Sequence, residues 1–154
     1  MLLQKLRERV SARVRNEESG FTLVELLVVM LILGILAAIA IPSFFNQRDK
    51  GNDAQSKADV RTVQTALETY STDNNGVYTG ATKAALKAIE PTLNDVADAD
   101  MTVTITSPTQ YTVGVKQPAT GNDFTVIRLA SGALDYDCTV KGDGGCPSDG
   151  NWND

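Results

Sequence analysis

The 154-residue chain contains no histidine, and its only two cysteines are Cys138 and Cys146. The missing histidine removes the usual general base and the commonest metal ligand, and two cysteines alone do not complete a zinc site. No glycine-rich phosphate loop and no nucleophile-with-base arrangement is present in the sequence. An enzyme is therefore not expected, and no metal or organic cofactor is implied. The nearest approach to a catalytic dyad is the acid pair Asp135 and Asp137. It is expected to point to opposite faces of a strand and so to miss a common substrate.

Positive charge is also scarce: 14 Lys and Arg against 19 Asp and Glu give a net charge of -5, which offers no electrostatic case for binding nucleic acid. Between Leu26 and Gln47, a span of 22 residues, there is no charged side chain at all. That span meets the length needed to cross a bilayer as a helix, about 20 residues. Ahead of it, Lys5, Arg7, Arg9, Arg13 and Arg15 outnumber Glu8, Glu17 and Glu18. A basic flank before the span places the N-terminus in the cytoplasm and the following hundred or so residues outside. A cleaved secretory signal is disfavoured, because the apolar stretch is longer than an ordinary h-region and no small-x-small site follows it directly. One acid, Glu25, stands at the head of the stretch, where an ionisable group needs a partner or a wet location.

Beyond Pro42 the pattern changes period. Val60, Val63, Leu67 and Tyr70 recur three and four residues apart, with Lys57, Asp59, Arg61, Gln64 and Glu68 between them, which predicts an amphipathic helix. Asp73-Asn74-Asn75-Gly76 ends it. A helix from Phe21 to about Asp73 has 53 residues and a length of roughly 80 Å. A short helix is expected over Thr82 to Glu90, with Ala85, Leu86 and Ile89 on one side, then an exposed linker over Thr92 to Asp100. Alternation predicts strands around Met101, Val103 and Ile105, around Tyr111, Val113 and Val115, over Phe124, Val126, Ile127 and Leu129, and from Leu134 to Cys138. The expected fold is α+β: a long N-terminal helix packed on a small antiparallel sheet of about four strands. In an exported head, Cys138 and Cys146 are expected to pair and clip a loop holding Gly142, Gly144 and Gly145. Asp135, Asp137, Asp143 and Asp149 read as a solvated acidic loop whose spacing is not that of an EF-hand.

The run Glu18-Ser19-Gly20-Phe21-Thr22-Leu23-Val24-Glu25-Leu26-Leu27-Val28-Val29, leading into an apolar helix, closely resembles the class III signal of type IV pilins and type II secretion pseudopilins. The resemblance implies cleavage by a prepilin peptidase between Gly20 and Phe21, methylation of the new Phe21 amine, and a role for Glu25 in assembly. Gly34 and Pro42 match the family's helix-weakening positions in the stem. On this basis residues 1–20 are a leader peptide, 21–52 an apolar assembly stem and 53–154 an extracytoplasmic head. The implied partners are copies of itself and related minor pilins in a helical filament, the peptidase, and an assembly platform in the inner membrane. The implied location is the cytoplasmic membrane before assembly and the cell surface after it. The implied function is that of a pilus subunit serving adhesion, twitching motility or DNA uptake, with a type II secretion pseudopilin as the alternative. Some pseudopilins hold calcium in a C-terminal loop, so the resemblance leaves that use of the acidic loop open.

Overall fold

The computed structural model describes residues 20–153; the expected leader up to residue 19, with its basic residues, falls outside the described residues. The chain divides into two compact units, with the boundary between Pro42 and Ser43. Helix α1, Leu23–Asp73, runs through both. It ends where Asn75 and Gly76 take positive φ of 58° and 79° and the Gly76 N–H reaches back to the Ser71 carbonyl at 2.7 Å. A left-handed pair of this kind satisfies carbonyls that the helix end would leave open.

In the second unit, Val60, Val63 and Leu67 of α1 are buried as the apolar spacing predicts, joined by Ala66, while Tyr70 packs half-buried at the margin. The same three-four spacing continues towards the N-terminus through Ser56 and Asp53, both buried. Helix α2, Lys83–Ile89, starts at Thr82, whose side chain accepts the Ala85 N–H, and stops before Pro91. Leu86 is buried but Ile89 remains exposed, so the expected apolar side of α2 is narrower than its sequence suggests.

The segment expected to be an exposed linker is partly structured and partly buried. Pro91–Asp95 forms a 3-10 turn, and Leu93 and Val96 enter the core. Two lysines one helical turn apart on α2 secure the stretch before the first strand: Lys83 donates to the Asp98 carbonyl at 2.7 Å, and Lys87 to the Val96 carbonyl at 2.8 Å and the Asp98 carboxylate at 2.6 Å. The Lys87 hydrogen bond and charge hold the Asp98 carboxyl below the usual carboxylate range.

The sheet is an antiparallel meander in chain order: β1 Met101–Ser107, β2 Gln110–Lys116, β3 Asp123–Arg128 and β4 Leu134–Cys138. Leu129 lies beyond β3 and is exposed, so the apolar run there is shorter than expected. The turn between β3 and β4 carries Gly132 at φ 83°, a conformation that excludes most side chains. Tyr111, Val113, Val115, Phe124 and Val126 line the inner face and bury the apolar stripe of α1. The architecture is α+β, a long N-terminal helix packed against a four-stranded antiparallel sheet.

Candidate assembly site

At its start α1 is closed by a reciprocal cap. The Glu25 carboxylate accepts from the Thr22 N–H at 2.9 Å and the Thr22 hydroxyl at 2.7 Å, and the Thr22 oxygen accepts from the Glu25 N–H at 3.2 Å. This is a capping box, which satisfies N–H groups that a helix start cannot pair internally. The T-x-x-E spacing was legible, but the reading of Glu25 as an acid awaiting a distant partner passed over Thr22.

Gly20 and Phe21 precede the helix, and Phe21 is 82% exposed. Among the described residues, every large apolar side chain from Leu23 to Phe45 is exposed, and none of the most apolar window of α1 is buried. Uncovered apolar surface of this extent requires lipid or other chains around it. The helix is continuous through Gly34 and Pro42. Nothing lies within 4 Å of where a Gly34 side chain would begin, so that glycine is not demanded by packing inside the subunit. Pro42 has no N–H to offer the carbonyl four residues back, which leaves one backbone bond of the stem unmade.

In the head, Cys138 and Cys146 form a disulfide with Cα atoms 5.8 Å apart. The loop it closes is held by Asp53, which is fully buried. Its carboxylate accepts from the Thr120 hydroxyl at 2.5 Å, the Asn122 amide at 2.8 Å and the Gly145 N–H at 2.7 Å. Asn122 carries the network further, accepting the Val140 N–H at 2.9 Å. A Cβ on Gly145 would stand 2.8 Å from that of Asp53, so the glycine is required by close approach of the loop to α1.

The tail has a second anchor in Trp152, which is fully buried and packs edge-on against Phe124 and Tyr136 with ring centroids 6.0 and 5.0 Å away. Its indole N–H donates to the carbonyls of Thr125 and Asp137 at 3.1 and 2.9 Å. Arg61 lies 5.3 Å and Lys57 6.0 Å from its ring centroid. Burial pushes the Lys57 ammonium below the usual lysine range, against the opposing charge of Asp53. Nothing in the sequence pattern assigned a place to Asp53 or Trp152.

Asp135 and Asp137 require a correction. Residues two apart on a strand share a face, so this pair points the same way rather than to opposite faces. The acids of the tail are engaged with neighbouring backbone: Asp135 accepts from the Tyr136 N–H, Asp143 from Gly144 and Asp149 from Asn151. Among the described residues no three of His, Cys, Asp or Glu converge as a metal site would require.

An uncovered apolar helix, long enough to cross a membrane, leads into a small α+β head. The family described as the prokaryotic N-terminal methylation motif matches residues 15–41. The type II secretion system core protein G of Aeromonas hydrophila is 30% identical over 147 residues, covering 90% of this chain and 95% of that protein. The protein of the same name from Pseudomonas aeruginosa is 42% identical over 60 residues, 39% of this chain and 42% of that protein. The type IV major pilin protein PilA of Myxococcus xanthus is 37% identical over 67 residues, 44% of this chain and 30% of that protein. Against the latter two the shared segment is less than half the length of the relative. No solved structure matches. The chain belongs to the type IV pilin and type II secretion pseudopilin family, whose members are structural, filament-forming subunits and not enzymes.

Proposed function

We propose that this chain is a pseudopilin of a type II secretion system, building a short fibre that assists export of folded proteins. The observation that carries the reading is the match to the Aeromonas core protein G along 95% of that protein's length, stem and head together. It favours the pseudopilin over the surface pilus; the Myxococcus pilin match, over 30% of that protein, is the observation on the pilus side.

In this reading a prepilin peptidase cuts between Gly20 and Phe21 and methylates the Phe21 amine, which then sits beside the Thr22–Glu25 cap. Apolar packing between stems is nearly non-directional and tolerates many axial offsets. A Glu25 carboxylate that meets the Phe21 amine of a neighbouring copy supplies the missing register, because a slipped stem leaves both charges unpaired among apolar side chains. Gly34 and Pro42 give the stem local freedom as it moves from bilayer to fibre. Two measurements test the proposal. Intact mass of the membrane-extracted subunit should correspond to a methylated chain beginning at Phe21. Deletion of the gene should leave type II substrates inside the cell while surface pili persist; loss of pili with normal secretion would overturn the pseudopilin reading.

A further inference from the structure

The two ends of the head differ in shape and in charge. The bonds of Asp53 to Gly145 and Asn122 place the disulfide loop and the start of β3 at the end where α1 enters the head. Arg128, at the other end of β3, bridges to Glu68, which lies about 22 Å beyond Asp53 along α1. The β3–β4 hairpin turns after Arg128, so its tip closes the opposite end of the head. That tip, Leu129-Ala130-Ser131-Gly132-Ala133-Leu134, carries no charge and is exposed throughout, with Leu129 at 45% and Leu134 at 36%. The Leu129 N–H to Ala133 carbonyl and Gly132 N–H to Leu129 carbonyl bonds, both 2.9 Å, hold the turn in shape. The carbonyls of Ala130, Ser131 and Gly132 accept no backbone hydrogen among the described residues. At the entering end a groove of about 580 Å³ opens between α1 and the disulfide loop, with Asn46 and Lys50 on one side and Gly142, Gly144, Pro147 and Ser148 on the other. Lys50 is its only charged residue, is exposed, and makes no ion pair among the described residues.

We propose that the β3–β4 tip of each copy seats in the groove beside Lys50 of another copy further along the filament. The contact rests on the family's filament-forming role and stands whether the fibre is a pilus or a pseudopilus. Copies whose stems share one membrane and one fibre point the same way, so where heads stack, one end of a head meets the opposite end of the other. A contact between unlike surfaces does not close on itself, which is what a growing fibre requires. Tip and groove are those unlike surfaces. Seating the tip takes Leu129 and Leu134 out of water, where their own subunit leaves them. The glycines of the groove present no side chains to obstruct entry, and Lys50 there meets turn carbonyls that lack a donor. The head already uses lysine in this way: Lys83, Lys87 and Lys141 each donate to a backbone carbonyl, at 2.7, 2.8 and 3.0 Å. Charge agrees as well. At the foot of the tip Arg128 is taken by Glu68, which leaves Asp135 as the neighbouring charge without an ion pair among the described residues, opposite in sign to Lys50. The groove flanks α1 just past its apolar stretch, so the contact continues the stem interface.

The test uses the full-length chain in sheared fibres, treated with a short bismaleimide, which the bonded Cys138–Cys146 pair does not consume. A chain carrying both Asn46→Cys and Ser131→Cys should give a ladder of dimers, trimers and longer species, because each copy then has one thiol at each end of its head. Either variant alone should stay monomeric, and the two single variants co-expressed should stop at dimers. Asn46→Cys combined with Thr104→Cys, which moves the second thiol to the exposed side of β1, should give no ladder. Independently, Leu129→Asp should lower the ratio of subunit in sheared fibres to subunit in the membrane about tenfold. It should leave the melting temperature unchanged, since Leu129 lies outside the core. Lys50→Glu should lower the same ratio, and Lys50→Arg should keep it. Fibres at parental yield with no ladder, or with no more than the Thr104→Cys control gives, would overturn the contact alone. A Leu129→Asp ratio equal to the parent's would do the same. Absence of fibres from the parent chain would overturn the filament reading and the contact with it.

Discussion

The Asp53 carboxylate and the Gly145 N–H are 92 residues apart in sequence and 2.7 Å apart in space. Through that bond the helix that carries the apolar stem also holds the disulfide loop. Asp53→Ala would leave the Thr120 hydroxyl, the Asn122 amide and the Gly145 N–H without an acceptor in a buried place. A loss of about 3 kcal/mol or more is expected. Asp53→Asn should cost less, since its one oxygen can still accept from Asn122 and Gly145 while its amide donates to the Thr120 hydroxyl, which can also accept. Thermal unfolding of the detergent-solubilised chain measures both variants; stability equal to the parent would refute the role of Asp53 as the loop's anchor.

Trp152 is the sole tryptophan, so intrinsic fluorescence reports on the tail alone. Trp152→Ala is expected to cost about 3 to 5 kcal/mol, as for other large buried aromatics. Removing the disulfide should cost less, about 2 kcal/mol, because the loop it closes is short. Reduction under native conditions should therefore leave the emission blue-shifted, with the indole still docked. A red shift on reduction alone would mean that the disulfide, not Trp152, holds the tail.

Asp123 predicts a pH effect. Its Oδ1 is buried without a hydrogen-bond partner, and burial pushes its carboxyl above the usual range, with Lys116 opposing. A raised folded-state pKa means that the ionised form burdens the fold: the benefit of protonation is present below the unfolded value of 3.8 and lost as pH rises through the folded one. Asp123→Asn should accordingly be more stable than the parent at pH 7, with the difference shrinking towards pH 4. Melting curves of the two proteins across that interval decide the sign.

Glu25→Ala should leave membrane insertion intact, since the stem only becomes more apolar, and cleavage after Gly20 should survive because the junction is unchanged. The ratio of subunit in sheared fibres to subunit in the membrane should fall by about tenfold or more. Thr22→Ala keeps the charge and removes the hydroxyl of the cap, so it should fray the first turn and reduce the ratio less. Parental fibre yield from fully processed Glu25→Ala protein would return Glu25 to a cap of its own helix and nothing more.

How far the sequence alone revealed the fold depends on the range of the forces involved. The stripe Val60, Val63, Leu67 and the alternation in β1 and β2 were legible because a local period decides which face is buried. The continuation of that stripe through Ser56 and Asp53 was not, since polar residues at core spacing look solvent-facing until their partners at Thr120, Asn122 and Gly145 are brought near. Leu93 and Val96 were passed over because two apolar residues three apart in a short polar stretch carry too little pattern. The Cys138–Cys146 pairing needed only two cysteines and an oxidising location. Trp152, alone near the end of a glycine-rich tail, gave no local sign that Phe124 and Tyr136 had left a slot for it.

The bare stem has a thermodynamic consequence of its own. Its large apolar side chains from Leu23 to Phe45 are exposed among the described residues, so hydrocarbon tails and the stems of sister molecules are interchangeable surroundings for them. Lipid chains are as apolar as leucine, which makes the exchange of one for the other close to isoenergetic per unit area. Oiliness then fixes where the molecule can reside but not in which direction it travels. Under the proposed function, the direction would then have to come from close packing, from the register of charges and from work delivered from outside the chain.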